Sequence, residues 1–361
     1  MRIVINGWFT DQATTGSGQY LDALLAWLPR VGGAHEFIVV RPQIANSKSV
    51  NQQTNESVNQ RICESHHAIR NTQYAIRITQ YVSRLNPNLA KLWFEQIAFP
   101  LACRRLRADV AFVPYWGAPV WAPCPVVVTV HDLIPLLLPL YRGGPLQRAY
   151  TALVSRTARR AAAVITDSAA SQRDIIAHLG IPPERVHAIH LAADPRYHAA
   201  LDPAELTRVR AKYALPDAPF LLYLGGFDAR KNVVRMMEAF ARVVARSQES
   251  GVRSQGSGVG SQREFADPCP LTPVPCLVIA GKLPAADTPF TPDPRPVVAR
   301  LGIEVHVRFT GWVDEADKPA LYALALGTVF VSEVEGFGLG VVEGMGGNSP
   351  VSPMALLNDC P

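Results

Sequence analysis

The sequence predicts an α/β protein built from two parallel-sheet domains. Three observations carry this: a chain of 361 residues, short β-branched runs alternating with amphipathic stretches, and glycine turns where several of those runs end. In chain order, strands are expected at Arg2–Asn6, Phe37–Val40, Val110–Val113, Val126–Val130, Ala163–Thr166 and Val186–Ile189. Helices fall between them at Gly18–Leu28, Pro145–Ala161 and Ser168–Leu179, the last with Ser168 as N-cap and Gly180 as its stop.

After Ile189 the pattern loosens through Asp194-Pro195 and Asp202-Pro203 until a new strand begins at Phe220–Leu224. The second half repeats the alternation, with strands at Leu277–Ala280, Val305–Phe309 and Thr328–Val331. Helices are expected near Asn232–Arg246, at Glu315–Leu326 and from Gly338 onward. The division is therefore a first domain over 1–190, a linker over 191–218 and a second domain over 219–361.

Two segments read as insertions. Residues 43–81 are rich in Asn, Gln, Ser and Thr and hold a tandem copy, Ala68–Tyr74 followed by Ala75–Tyr81, whose Ile and Tyr end suits a marginal helix. Residues 246–268 hold a second repeat, Arg246–Val252 followed by Arg253–Val259, with one apolar residue per seven and much Gly and Ser. That composition suits a flexible loop and cannot form a coiled-coil seam. Both lie between expected core elements, where added loop length costs little.

Composition excludes several classes. The net charge of +5, from 35 Lys and Arg against 30 Asp and Glu, is too modest for an obligate nucleic-acid binder. The six cysteines (Cys63, Cys103, Cys124, Cys269, Cys276 and Cys360) form no C-x-x-C and no zinc spacing, so a reducing, cytoplasmic setting is expected. Met1–Gly7 reads as a strand and turn, not a signal peptide. The longest apolar run, Val126–Leu140, is broken by His131, Asp132, Pro135 and Pro139, which rules out a membrane span. Basic runs at Arg104–Arg107 and Arg156–Arg160 read as solvated helix faces, with peripheral contact to anionic lipid as the lesser reading.

Chemistry concentrates in two stretches of the second half. In Glu335-Gly336-Phe337-Gly338-Leu339-Gly340-Val341-Val342-Glu343, glycines follow a strand and open a helix, so backbone amides can approach an anion. The spacing puts Glu335 in the loop and Glu343 inside the helix, where they serve different parts of one ligand. In Tyr223–Asn232 another strand runs into Gly225-Gly226, and Arg230 and Lys231 precede a helix, an arrangement suited to clamping a diphosphate. In the first half, His131 ends an apolar strand at the edge where α/β folds bind ligands. The other histidines have no ligand spacing.

Taken together these residues resemble the retaining glycosyltransferases of family 4. The resemblance is carried by Gly225–Asn232, Phe309-Thr310-Gly311-Trp312-Val313 and Glu335-x7-Glu343, with Thr15–Tyr20, Val128–Pro135, Thr166–Asp174 and His190–Asp194 in the first half. It implies the GT-B fold, two Rossmann-like domains facing a cleft, and transfer of a sugar from a nucleotide diphosphate donor to a glycan or lipid-linked acceptor. By the same resemblance Lys231 and Arg230 hold the diphosphate. Glu335 and the amides of Phe337, Gly338 and Leu339 face the donor sugar, Glu343 takes the ribose, and Gly311, Trp312 and Val313 lie beside the base. Gly16 and Gly18 let the first domain's backbone approach the diphosphate, and His131 reaches the transferred sugar.

The chain contains no Asp-x-Asp, so neither a divalent ion nor another cofactor is expected. His131-Asp132-Leu133-Ile134-Pro135 resembles mannosyltransferases of surface-polysaccharide assembly, which makes GDP-mannose the first donor expected. Beyond Met345 the family's next strand and returning helix are expected to be missing, leaving the second domain incomplete. An inactive remnant that binds nucleotide sugar weakly is the alternative. A dinucleotide oxidoreductase is disfavoured because Gly16-Ser17-Gly18 lacks a third glycine and lies far from the first strand.

Overall fold

The computed structural model describes residues 1–10, 12, 15–42, 70–73, 86–254, 275–347 and 349–353. The chain divides into two compact units, Met1–His190 and Leu191–Pro361.

The first unit is a parallel seven-stranded sheet. Its strands are β1 (Arg2–Asn6), β2 (Glu36–Arg41), β3 (Arg70–Gln73), β4 (Val110–Val113), β5 (Val126–Thr129), β6 (Ala163–Thr166) and β7 (Val186–Ala188). They lie in the order β3-β2-β1-β4-β5-β6-β7. Alternation along each strand divides the core between two faces. Val4, Ile38, Val40, Ala111, Val113 and Val128 join one cluster, while Ile5, Phe37, Val39 and Phe112 join the other. A sheet covered on both faces needs apolar side chains at every position, which is why these strands read as continuous hydrophobic runs.

Helix α1 (Gly16–Val31) is capped by the Thr15 hydroxyl, which accepts from the Gly18 amide at 3.1 Å. Helix α2 (Pro87–Trp93) runs through a π turn at Phe94–Ala98 into α3 (Phe99–Arg105). The sequence expectation gives neither helix a range, although it reads Arg104–Arg107 as a helix face, and α3 carries Arg104 and Arg105. Pro100 lacks an N–H for the carbonyl one turn earlier, and the wider π turn just before it lets the helix continue. Helices α4 (Pro145–Ala158) and α5 (Ala169–Leu179) follow the expected positions, and α5 has its Ser168 cap and a left-handed Gly180 stop.

The insertion over 43–81 requires a correction. Arg70–Gln73 is neither loop nor helix: it pairs parallel with β2, from Ile38 opposite Arg70 to Arg41 opposite Gln73. The added strand satisfies backbone groups that β2 would otherwise expose as an edge. The rest of that segment lies outside the described residues.

The second unit is a parallel five-stranded sheet in the order β10-β9-β8-β11-β12. Its strands are β8 (Phe220–Leu224), β9 (Cys276–Ala280), β10 (Val307–Gly311), β11 (Gly327–Phe330) and β12 (Val351–Pro353). Phe220, Leu222, Val278 and Ala280 face one cluster with Leu321 and Tyr322. Tyr223, Leu277 and Ile279 face the other with Met236, Met237 and Phe240.

Residues 191–218, expected as a linker, contain α6 (Pro203–Lys212) and belong to the core of this unit through Tyr197, Val209, Tyr213 and Leu215. Helix α7 runs over Val233–Ser254, so the first copy of the second repeat is helical instead of a loop. Helix extension is cooperative once started, and no glycine interrupts α7 before Gly251. The remainder of that insertion, from 255 on, lies outside the described residues. Helix α8 (Pro294–Leu301) was not expected either; it is capped by Asp293 and stopped by a left-handed Gly302. Helices α9 (Lys318–Leu324) and α10 (Leu339–Gly346) complete the unit. Beyond α10, the expected loss of the next strand is corrected by β12, which pairs with β11 from Thr328 opposite Val351 to Phe330 opposite Pro353.

Among the described residues, no helix is long and apolar enough to cross a membrane.

Candidate functional site

The five strands of the second unit run parallel, so their C-terminal ends share one edge, and the candidate residues of this unit leave that edge from adjacent strands. β8 leads through Gly225-Gly226 into a tight turn at Ala229–Lys231 ahead of α7. Its neighbour β11 leads into the loop holding Glu333 and Glu335. The two loops are joined by a backbone bond from the Glu333 amide to the Arg230 carbonyl at 2.8 Å.

Across this junction Lys231 Nζ meets Glu335 Oε1 at 2.5 Å and Arg230 meets Glu335 Oε2 at 2.7 Å. Arg230 also pairs with Asp228 at 2.9 Å and donates to the Val334 carbonyl at 3.1 Å. The ammonium of Lys231 lies 5.9 Å from the Phe330 ring centroid. All three side chains of the triad are largely buried, at 17 to 19% exposure. Burial would push the Glu335 carboxyl up, but the charges of Lys231 and Arg230 outweigh it and hold the carboxyl below its ordinary value. With Asp228 on Arg230, the cluster sets two cations against two carboxylates, and the two cations are the groups in it that could meet a phosphate ester.

Beside the triad, α10 begins at Leu339. Its N-cap, Gly338, takes φ = +85°, a left-handed conformation that favours glycine. The unpaired amides of a helix's first turn and the positive end of its dipole form a surface suited to an anion. Glu343 lies inside α10, and Tyr322 donates to its Oε2 at 3.3 Å. Burial pushes the Glu343 carboxyl above its ordinary value, with Lys318 and the tyrosine hydroxyls opposing. Gly311 closes β10 on the same sheet edge, and its carbonyl accepts from the Gly281 amide at 2.9 Å. Of its neighbours, Trp312 is exposed, whereas Val313 turns into the core.

In the first unit a second cluster forms where α1, β5 and β6 converge. His131 Nδ1 lies 2.7 Å from Asp167 Oδ2. The Tyr20 ring meets the imidazole edge-on at a centroid distance of 4.8 Å. The Tyr20 hydroxyl is 3.4 Å from Thr129 Oγ1. Burial pushes the Tyr20 phenol up. His131 Nε2 is buried and has no partner among the described residues. Gly16 has open space where a Cβ would point, while Gly18 is closely packed: a Cβ there would come within 2.1 Å of the Gln12 carbonyl oxygen.

The structure thus brings together Arg230, Lys231 and Glu335 in the second unit, and it places His131 beside Tyr20 of α1 and Asp167 in the first. Asp228, Phe330 and Tyr322 in the second unit, and Tyr20 and Asp167 in the first, carry no role in the sequence expectation. The register of β5 with β6, Thr129 opposite Ile165, is the signal that brings His131 to Asp167. Among the described residues there is no group of three His, Cys, Asp or Glu placed to hold a metal ion.

A model of glycosyltransferase family 4 matches residues 14–197, and one of glycosyl transferases group 1 matches residues 207–351. The chain is similar to O-antigen chain mannosyltransferase B of Escherichia coli, 27% identical over 225 residues, covering 62% of this chain and 51% of that protein. It is also 27% identical over 187 residues to alpha-D-kanosaminyltransferase of Streptomyces kanamyceticus, covering 52% of this chain and 41% of that one. The chain therefore spans about half or less of these curated relatives. Among solved structures, Anabaena HepE in complex with UDP-glucose matches with a TM-score of 0.58 at 16% identity, covering 100% of this chain and 83% of HepE. At that identity the likeness is one of fold, the GT-B fold of two Rossmann-like parallel-sheet domains.

Proposed function

The chain belongs to glycosyltransferase family 4, and from that premise we propose that it moves a hexose from a nucleotide diphosphate sugar to a glycan or lipid-linked acceptor with retention at the sugar carbon. The observation that carries the proposal is the Arg230–Lys231–Glu335 triad beside the first turn of α10. Departure of the diphosphate builds negative charge on its oxygens, and preorganised cations and amides aimed at that charge lower the barrier most effectively.

In this mechanism Lys231 and Arg230 exchange part of their hold on Glu335 for the diphosphate, and the released carboxylate turns to hydroxyls of the donor sugar. The amides of Phe337, Gly338 and Leu339 complete the cradle, Glu343 accepts from the ribose, and Gly311–Val313 flank the base. The bond from the sugar carbon to the phosphate oxygen breaks and one from that carbon to the acceptor oxygen forms on the same face. The acceptor proton passes to the leaving phosphate oxygen. The family resemblance assigns Gly16, Gly18 and His131 of the first unit to the same reaction, His131 to the transferred sugar. The diphosphate charge is met by side chains and amides, so no divalent ion or cofactor is required.

Mannose from GDP-mannose is the donor to test first, supported by the likeness to an O-antigen mannosyltransferase. A cytoplasmic enzyme touching the inner face of the membrane through its exposed arginines would suit a lipid-linked acceptor. The full chain is incubated with GDP-mannose, UDP-glucose and related donors, with and without EDTA, and released nucleotide and sugar product are measured. Release with at least one donor, unchanged by EDTA and retaining in stereochemistry, is expected. No release and no thermal shift with any donor would overturn the proposal, and loss of activity in EDTA would overturn metal independence.

A further inference from the structure

Resting on the proposed role of His131 as a ligand-facing group, we propose that Asp167 is its positioning residue: it fixes the imidazole with hydrogen on Nδ1, so that Nε2 offers a lone pair to a substrate hydroxyl. A carboxylate only accepts hydrogen bonds, so at 2.7 Å from Asp167 Oδ2 the ring nitrogen Nδ1 must be the donor. In the neutral ring this leaves Nε2 as an acceptor. That atom is buried without a partner among the described residues. An unpaired buried polar atom calls for an explanation, and a hydroxyl donated by a bound sugar supplies the missing partner.

Three elements hold the ring. His131 follows β5, Asp167 follows the adjacent β6 at 5% side-chain exposure, and Tyr20 on α1 packs edge-on against the imidazole. Tyr20 lies on the first turns of the helix that begins at Gly16, so the ring's tilt is tied to the glycine-bearing turn. Ring rotation about χ2 is therefore opposed from one side by a hydrogen bond and from another by an aromatic face. The recognised group is of the hydrogen-bond donor class, a sugar hydroxyl, and a phosphate oxygen at this position would meet a lone pair instead of a donor.

The test has a structural and a kinetic arm on the full-length chain. In protein labelled with 15N-histidine, the signal lost in His131→Gln should show the Nδ1–H tautomer, and in Asp167→Leu it should move to the Nε2–H or averaged form. In turnover, Asp167→Leu should lower kcat by about 10- to 100-fold, the size of effect that outer partners of metal-bound histidines have, with the donor KM changed less than about threefold. Asp167→Asn, which keeps the shape and one acceptor oxygen, should recover part of the loss and guards against a folding defect.

A wild-type Nε2–H tautomer, a His131 signal indifferent to Asp167→Leu, or unchanged kcat in that variant would each overturn the proposal. The tautomer arm requires no turnover. If the wild-type chain transfers no sugar, the functional proposal fails while the tautomer arm still decides the role of Asp167.

Discussion

Two carboxylates in the second unit each hold a pair of cations, and they differ in where the fold puts them. Asp317, 3% exposed, meets Arg208 and also Lys212 at 2.6 Å and accepts from the Tyr213 hydroxyl at 2.7 Å. It ties α6 and the residue after it to the start of α9, and its two cations are 38 and 46% exposed. Glu335 meets Lys231 and Arg230 at similar distances, but its cations are themselves largely buried, at the C-terminal edge of the sheet next to α10. The Asp317 cluster has a tyrosine to complete it and joins two helices at the surface. The Glu335 cluster lies at a strand end shortly before the N-terminus of α10, with Asp228 as its second carboxylate. Cation–carboxylate clusters of similar composition thus occur between two helices in one place and at a strand end in the other, and the proposed donor role of the second rests on that strand-end position, not on charge count.

Substitutions at the two clusters should therefore separate activity from stability. The largest effect is expected from Lys231→Ala, which should reduce sugar transfer by about 100-fold or more, roughly 2.7 kcal/mol in barrier, with a melting temperature near that of the wild type because Arg230 still holds Glu335. Equal rates in nucleotide-release assays would erase the distinction. Asp317→Ala should do the reverse. Removing a buried acid with three partners should cost about 2–3 kcal/mol in denaturant unfolding, discounted for its exposed cations, and leave turnover per folded molecule unchanged.

Acid should sharpen the contrast further. Burial would push the Asp317 carboxyl up, but the bonds from Lys212, Arg208 and Tyr213 outweigh it and bring it to about 2, against an ordinary 3.8. A depressed folded-state value means the added stability is present above the ordinary value and disappears as pH falls through about 2. That contribution is about 1–2 kcal/mol after solvent screening. Unfolding curves from pH 5 to pH 2 should show it in the wild type and lack it in Asp317→Ala. The smallest effect is Gly338→Ala, where an L-residue at φ = +85° should cost about 1 kcal/mol and tilt the first turn of α10. A stability loss without weaker donor binding would separate that turn from the site.

Much of this is legible in the sequence. Buried strands show as β-branched runs, and the turns after β8 and before α10 show as glycine clusters, because backbone packed tightly on a neighbour, as Gly225 is on Tyr223, or in a left-handed conformation, as at Gly338, disfavours larger residues. Lys231 and Glu335 are legible as motif residues, but their ion pair is not, since it depends on β8 and β11 being neighbours although β9 and β10 lie between them in the chain. The pairing of Asp167 with His131 is hidden for the same reason, across 36 positions. Strand β3 is masked by a polar repeat whose composition outweighs its pairing, and the run of α2 into α3 by Pro100, which a local rule reads as a break. Position within a residue type's ordinary range is readable locally, whereas partnership comes from strand order.

The central claim, that the Lys231–Arg230–Glu335 cluster binds a nucleoside diphosphate, is tested most directly by titrating the full-length chain with GDP and with UDP in a calorimeter. Saturable binding of at least one nucleotide is expected, weakened at least about tenfold, or 1.4 kcal/mol, in Lys231→Ala and unchanged in Asp317→Ala. Heat of binding absent for both nucleotides, or equal affinity in the wild type and Lys231→Ala, would contradict it.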